Sequence, residues 1–267
     1  LEVIEGKLKP FIAVPSTSGT GSEATLVAVI ANPEKKVKME FISYNILPDV
    51  AVLDSRMTLS LPAKMTASTG MDALVHAIEG YTSIQKNPLS DAYAFASIDL
   101  IREYLIKTVK DGQSEENRLA MANASFMAGV AFSNSMVGIV HAIGHACGGV
   151  SHVPHGDAMT ILLPHGMEYN LHKVEESYEK LLLPLGGAEL YASTPKEKRA
   201  EKAIEVVKNM IKELNNLCSL PIRLRDVGIL EKDFERIAKT ALNDGAALAN
   251  PIEVSYEGIM NILKNAY

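Results

Sequence analysis

GMDALVHAIEGY, residues Gly70–Tyr81, is the stretch from which the fold of this chain is read. Leu74, Ile78 and Tyr81 recur at helical spacing within it, which predicts an amphipathic or buried helix. Asp72 and His76 are four apart, so on a helix they share one face with Cβ atoms about 6 Å from each other. HAIGH, His141–His145, repeats that spacing with two imidazoles, and His155 follows in VPHG, Val153–Gly156, at the start of a further helical segment. One carboxylate with several imidazoles suits Fe(II), Zn(II) or a similar divalent ion. A single histidine pair at this spacing is common in ordinary helices. An Asp/His pair and a His/His pair in apolar helices need more explanation, because burying such groups without partners costs ~2 kcal/mol or more each. A metal ion or a catalytic network is the economical reading.

All seven histidines lie between residues 76 and 172. His152 reads as a loop residue, His165 as a buried, hydrogen-bonded structural residue, and His172 as surface. Asp157 reads as a residue capping or lining a helix start.

Working outward, residues after Pro62 read as almost entirely helical. Segments are expected at Met71–Tyr81, Pro88–Val109, Glu115–Phe132, Gly138–Cys147, Pro154–Leu171, Pro195–Cys218, Glu231–Asn243 and Tyr256–Ala266. Thr194 is expected to cap the Pro195–Cys218 helix, with Pro195 at its first position. The first fifty-odd residues read instead as β: Phe11–Pro15, Thr25–Ala31, Val37–Ser43 and Val50–Leu53, with a turn at Asn32–Lys35 joining the middle two into a hairpin. So few strands make no stable sheet alone, and the segment reads as the edge of a larger sheet. The fold class expected is therefore mainly α, with a small N-terminal β segment. The boundary is expected between residues 1–56 and an all-helical 57–267.

The 267 residues suffice for one or two domains. The 47% hydrophobic and 22% charged shares are those of a globular protein, and the net charge of −6 argues against nucleic acid or an anionic membrane as partner. No apolar run approaches the ~18 residues of a membrane span. Leu1–Lys9 has no signal-peptide layout. Two cysteines, Cys147 and Cys218, form no CxxC pair, which excludes a disulfide scaffold and fits a reducing cytoplasm.

PSTSGTGSE, Pro15–Glu23, follows an apolar strand and offers hydroxyls and glycines of the kind that present N–H groups to phosphate. Its Gly19-x-Gly21-x-x-Ala24 pattern matches a dinucleotide fingerprint only formally, because a strand rather than a helix follows. GxSxG, P-loop and HExxH motifs do not occur in the sequence, and neither cysteine has the setting of a nucleophile.

PSTSGTGSE, LPAKMTASTGMDALVHAIEGYTS (Leu61–Ser83), GIVHAIGHACG (Gly138–Gly148) and VPHGDAMTILLPHGMEYN (Val153–Asn170) together resemble the iron-containing alcohol dehydrogenase family, whose fold is dehydroquinate synthase-like. The ending, Ala249-Asn250-Pro251 through Tyr267, is similar too. The resemblance implies that 1–56 is the remnant of an α/β NAD(P)-binding domain and 57–267 the all-helical metal-binding catalytic domain. The resemblance implies metal ligands Asp72, His76, His141 and His155. It implies that His145 is not a ligand but a catalytic neighbour of nicotinamide and substrate. Ser16, Thr17, Thr20, Lys38, Met57 and Leu61 match positions bordering the cofactor. The implied cofactors are Fe(II), with Zn(II) as an alternative, and NAD or NADP. The implied reaction is hydride transfer between a small alcohol and NAD(P) in a homodimer or larger homo-oligomer. The family's GGGS-type pyrophosphate loop does not occur in these residues, so a truncated chain, inactive alone, is expected. The alternatives are a dehydroquinate-synthase-like lyase or a non-catalytic metal-binding domain. His152 departs from the family pattern.

Overall fold

The protein is described by a computed structural model covering residues 8–32, 34, 35 and 37–267. Leu1–Lys7 and Pro33, on which the readings of the chain start and the hairpin turn partly rest, lie outside the described residues.

Eight α-helices follow one another after the strands among the described residues: α1 Ala63–Thr82, α2 Pro88–Lys110, α3 Glu115–Ser133, α4 Ile139–Ser151, α5 His155–Ser193, α6 Arg199–Cys218, α7 Phe234–Ala241 and α8 Tyr256–Asn265. The centre of the bundle is α1, which packs against α2, α3 and α5. From Gly70 to Thr82 every α1 residue is buried. A helix apolar all round belongs in a core, and its few polar side chains, Asp72, His76 and Glu79, are carried inside with it. Most of α4 is likewise buried, from Ile139 through Cys147. The functional segments thus sit in the two most enclosed helices.

Boundaries follow local chemistry. Asn87 accepts from the N–H groups of Leu89 and Ser90 and forms a capping box, with Pro88 at the first helical position of α2. Ser114 and Ser255 cap α3 and α8 in the same way. Two expectations are corrected. The fifth helix runs on to Ser193, through irregular backbone at Val174 and Gly187, because Pro184 and Gly186-Gly187 interrupt it without ending it. Thr194 does not cap the helix after it: its Oγ1 donates to Leu190 O at the end of α5 (2.7 Å), and Pro195 is extended before a 3-10 turn at Lys196–Lys198. The following α6 starts only at Arg199.

The strands are short: β1 Ile12–Ala13, β2 Val27–Asn32, β3 Val37–Ile42 and β4 Val50–Ala51. The hairpin β2–β3 is antiparallel, with Val27 opposite Ile42. β1 and β4 pair in parallel, Ile12 with Val50. Phe11, Ile12, Val14, Val50 and Val52 expose large apolar side chains there. β3 packs on α4. Among the described residues no helix is long and apolar enough to cross a membrane.

Candidate metal centre

The start of α4 is buried, so its free N–H groups need acceptors. Asn250 Oδ1 takes the Ile139 N–H (3.1 Å) and Glu79 Oε1 takes the Val140 N–H (2.7 Å). Asn250 is itself held by reciprocal amide hydrogen bonds with Asn170 on α5, both 2.9 Å. This cap fixes the register of α4 against α1 and α5, and with it His141.

His141, 2% exposed, faces Asp72, also 2% exposed. Its Nδ1 lies 2.6 Å from Glu79 Oε2, which leaves Nε2 for a ligand role, the usual arrangement of a metal-binding imidazole backed by a carboxylate. Three imidazole nitrogens surround Asp72 Oδ1: His155 Nε2 at 3.3 Å, His141 Nε2 at 3.8 Å and His76 Nδ1 at 3.9 Å. Donors bound at ~2.1 Å to one ion are spaced about 3–4 Å from one another. Asp72 Oδ1, His76 Nδ1 and His141 Nε2 are buried and have no hydrogen-bond partner. Orphaned atoms of this kind, converging from α1 and α4 with His155 Nε2 added from the start of α5, fit a divalent cation. Asp72, His141 and His155 form the tightest group, with ligand atoms within 4.8 Å of one another. His76 flanks it, stacked on His141 with ring centroids 4.4 Å apart and on Phe132 at 4.3 Å.

Electrostatics agree with a neutral-imidazole, ionised-carboxylate set. Burial drives the His76 pKa down to about 3 and that of His141 well below the usual range. Burial would raise Asp72, but His76, His155 and His141 overcome it and keep the carboxylate ionised. Burial lifts Glu79 to about 7.

His145 stands beside the cluster, its ring stacked on that of His155 at 5.5 Å. Its Nδ1 lies between Asp244 Oδ2 (3.0 Å) and Glu40 Oε1 (3.1 Å). Burial disfavours its charge, but the hydrogen bonds to Asp244 and Glu40 prevail and raise it to about 9. Gly245 leaves room for the Glu40 carboxylate, since a Cβ there would stand 2.5 Å from Oε2. Lys38, on the same face of β3 as Glu40, has its pKa lowered by burial and packs its Nζ near Gly148 of α4.

The remaining predicted positions are more scattered. The Pro15–Glu23 loop lies on the bundle: Gly19 abuts Thr69, one turn before Asp72, and Gly21 adopts φ +57° while touching Gly129 of α3, a place where a side chain would meet backbone. Ser16 and Thr20 are exposed and Thr17 is half-buried. Met57 is 44% exposed, and the Leu61 carbonyl accepts from Arg118 Nη2. His152 ends α4 in the left-handed region and is exposed, as is His172. His165 is only half-buried, 3.5 Å from Glu168, with its Nδ1 lacking a hydrogen bond, so the expectation of a buried, satisfied residue is corrected. Asp157 is buried in the first turn of α5, 3.9 Å from Lys64. Glu79, Glu40 and Asp244 were not foreseen. Only Glu79 carried a signal, as an acid three residues beyond His76 in an otherwise apolar helix.

The helical bundle carries a buried carboxylate–imidazole cluster of the kind that can hold a divalent ion, with His145 at its rim. Residues 66–267 match the profile "Fe-containing alcohol dehydrogenase family, C-terminal", and residues 2–55 match "Iron-containing alcohol dehydrogenase". "Alcohol dehydrogenase 4" of Saccharomyces cerevisiae is 39% identical over 260 residues, 97% of this chain and 65% of that protein. The "NAD-dependent methanol dehydrogenase" of Bacillus methanolicus is 38% identical over 263 residues, 98% of this chain and 68% of that protein. A crystal structure of 1,3-propanediol oxidoreductase superposes with a TM-score of 0.93 at 38% identity, covering all of this chain and 68% of that one. The chain belongs to the iron-containing alcohol dehydrogenase family. It spans about two thirds of the length of these relatives, 65% for the yeast protein.

Proposed function

We propose that this chain supplies the metal-binding, catalytic part of an NAD(P)-dependent alcohol dehydrogenase acting on small alcohols and aldehydes. The observation that carries the proposal is the convergence of His141 Nε2, His155 Nε2 and His76 Nδ1 on the orphaned Asp72 Oδ1. Asp72, His76, His141 and His155 would hold the ion, Fe(II) by family with Zn(II) as the alternative. Bound there, the ion supplies Lewis-acid polarisation of an alcohol or carbonyl oxygen.

The chain's own residues do the rest. Glu79 orients His141 through Nδ1 and secures the start of α4 through the Val140 N–H. Asp244 and Glu40 hold the proton on His145 Nδ1 and fix its ring beside the cluster. The hydride belongs to the nicotinamide, whose binding the protein shares through the Pro15–Glu23 loop, Lys38 and Met57–Leu61. The nucleotide is NAD or NADP: the relatives include an NAD-dependent methanol dehydrogenase and an NADPH-dependent butanol dehydrogenase. The 1–56 and 57–267 division is supported by the change from strands to helices after β4. A reducing cytoplasm is supported by the two cysteines, both free. A homo-oligomer is carried over from the family resemblance alone.

The test uses the Co(II)-substituted protein. Its absorption bands should change on addition of small primary alcohols and not in His141→Ala. A Co(II) spectrum indifferent to every alcohol would contradict the assignment.

A further inference from the structure

A cavity of about 610 Å³ opens beside His145, between β3, α4 and α7. Its size is that of a small-molecule site, about 300–1,000 Å³. Lys38 and His145 line it from one side. Arg236 and Lys239 on α7, with Lys232 from the 3-10 turn Glu231–Asp233 before it and Asn243 just beyond it, line it from the other. The opposite face of α7, with Phe234, Ile237, Ala238 and Ala241, is buried in the core.

Its charge balance runs against that of the chain. Of the lining acids, Glu235 is paired with Lys239 (2.6 Å) and Asp244 with His145 (3.0 Å). Lys38, Lys232 and Arg236 make no close ion pair with a carboxylate among the described residues, although Asp72 and Asp244 act on Lys38 from farther off, in a protein of net charge −6. Burial also disfavours the charge on Lys38, so an anion there would relieve a cost the fold otherwise carries. His145 connects the cavity to the metal cluster through its ring contact with His155.

We propose that this cavity is an oxyanion subsite, in which Lys232, Arg236 and Lys38 receive a carboxylate or phosphate group carried by the substrate or the nucleotide. The site stands on its own lining residues. Its link to a reacting alcohol rests on the dehydrogenase reading, and the test therefore measures binding to metal-free protein, where turnover plays no part.

Isothermal titration at low salt compares inorganic phosphate, γ-hydroxybutyrate against n-butanol, and adenosine 2′-monophosphate against adenosine. Phosphate and at least one organic anion should bind, each anion more tightly than its neutral counterpart. Charge-assisted hydrogen bonds are worth ~1.5–3 kcal/mol, so Lys232→Ala/Arg236→Ala should weaken anion binding by roughly tenfold or more. The exposed positions of both residues allow these variants to fold, and Arg236→Glu should abolish binding without lowering the melting temperature. Preference for γ-hydroxybutyrate assigns the anion to the substrate, and preference for adenosine 2′-monophosphate assigns it to the nucleotide. Equal binding of charged and neutral probes, or affinities unchanged in the double variant, would overturn the proposal.

Discussion

Glu79 bridges the metal cluster and the fold. It accepts from the Val140 N–H and orients His141, and both bonds are buried. Glu79→Ala leaves both groups without a partner, which costs about 1–3 kcal/mol for each orphaned group. Urea denaturation should show a loss in this range, and metal affinity should fall with it. Glu79→Gln, able to keep one bond, should lose less. The cysteines separate by environment. Burial pushes the Cys147 thiol up to about 12, whereas Cys218 is half-buried at the end of α6. Thiol alkylation of the native protein, read by mass spectrometry, should label Cys218 and spare Cys147 until the chain is unfolded. The grouping of Asp72, His76, His141 and His155 was legible in the sequence because helical spacing puts Asp72 with His76, and the family motifs add His141 and His155. Glu40 and Asp244 were not. They reach His145 across 105 and 99 residues of sequence, and local spacing says nothing about contacts of that range.

At the scale of elements, the two asparagine caps offer a controlled comparison. Asn87 caps α2, far from any functional side chain, and Asn87→Ala should cost about 1 kcal/mol with metal content unchanged. Asn250 caps α4 and is tied to Asn170. Asn250→Ala should cost about 2 kcal/mol and also weaken metal binding, because α4 carries His141. Denaturation curves and metal analysis of the two variants check both statements. Hydrophobic period and turn residues made α2 and α3 readable almost to the residue, whereas α1 begins at Ala63, well before the expected Met71, and α4 runs on to Ser151, past the expected Cys147. The continuation of α5 past Leu171 was not readable, because Pro184 and Gly186-Gly187 signal a break that tertiary packing overrides: Leu181, Leu182 and Leu185 are buried in the core. Thr194 failed as a cap for a related reason, since its hydroxyl found the Leu190 carbonyl behind it rather than a backbone N–H ahead.

The molecule as a whole is a helical domain attached to a small set of strands whose outer apolar residues are exposed. Phe11, Ile12, Val14, Val50 and Val52 share that region. Exposed strand edges and apolar patches favour association. Light scattering should therefore show concentration-dependent self-association, reduced in Ile12→Lys/Val50→Lys. If that variant associates as strongly as the parent, the strands are not the adhesive surface. An ion held by Asp72, His76, His141 and His155 would tie α1, α4 and α5 together, so Fe(II), Zn(II) or Co(II) should raise the melting temperature by mass action.

Metal stoichiometry tests the central claim most directly. After anaerobic reconstitution with Fe(II) and removal of free metal, the protein should hold about one equivalent, and His145→Ala should keep it. His141→Ala and Asp72→Ala should hold almost none. Less than about 0.2 equivalents of any transition metal in the parent protein, or full occupancy in His141→Ala, would contradict a centre built on Asp72, His76, His141 and His155.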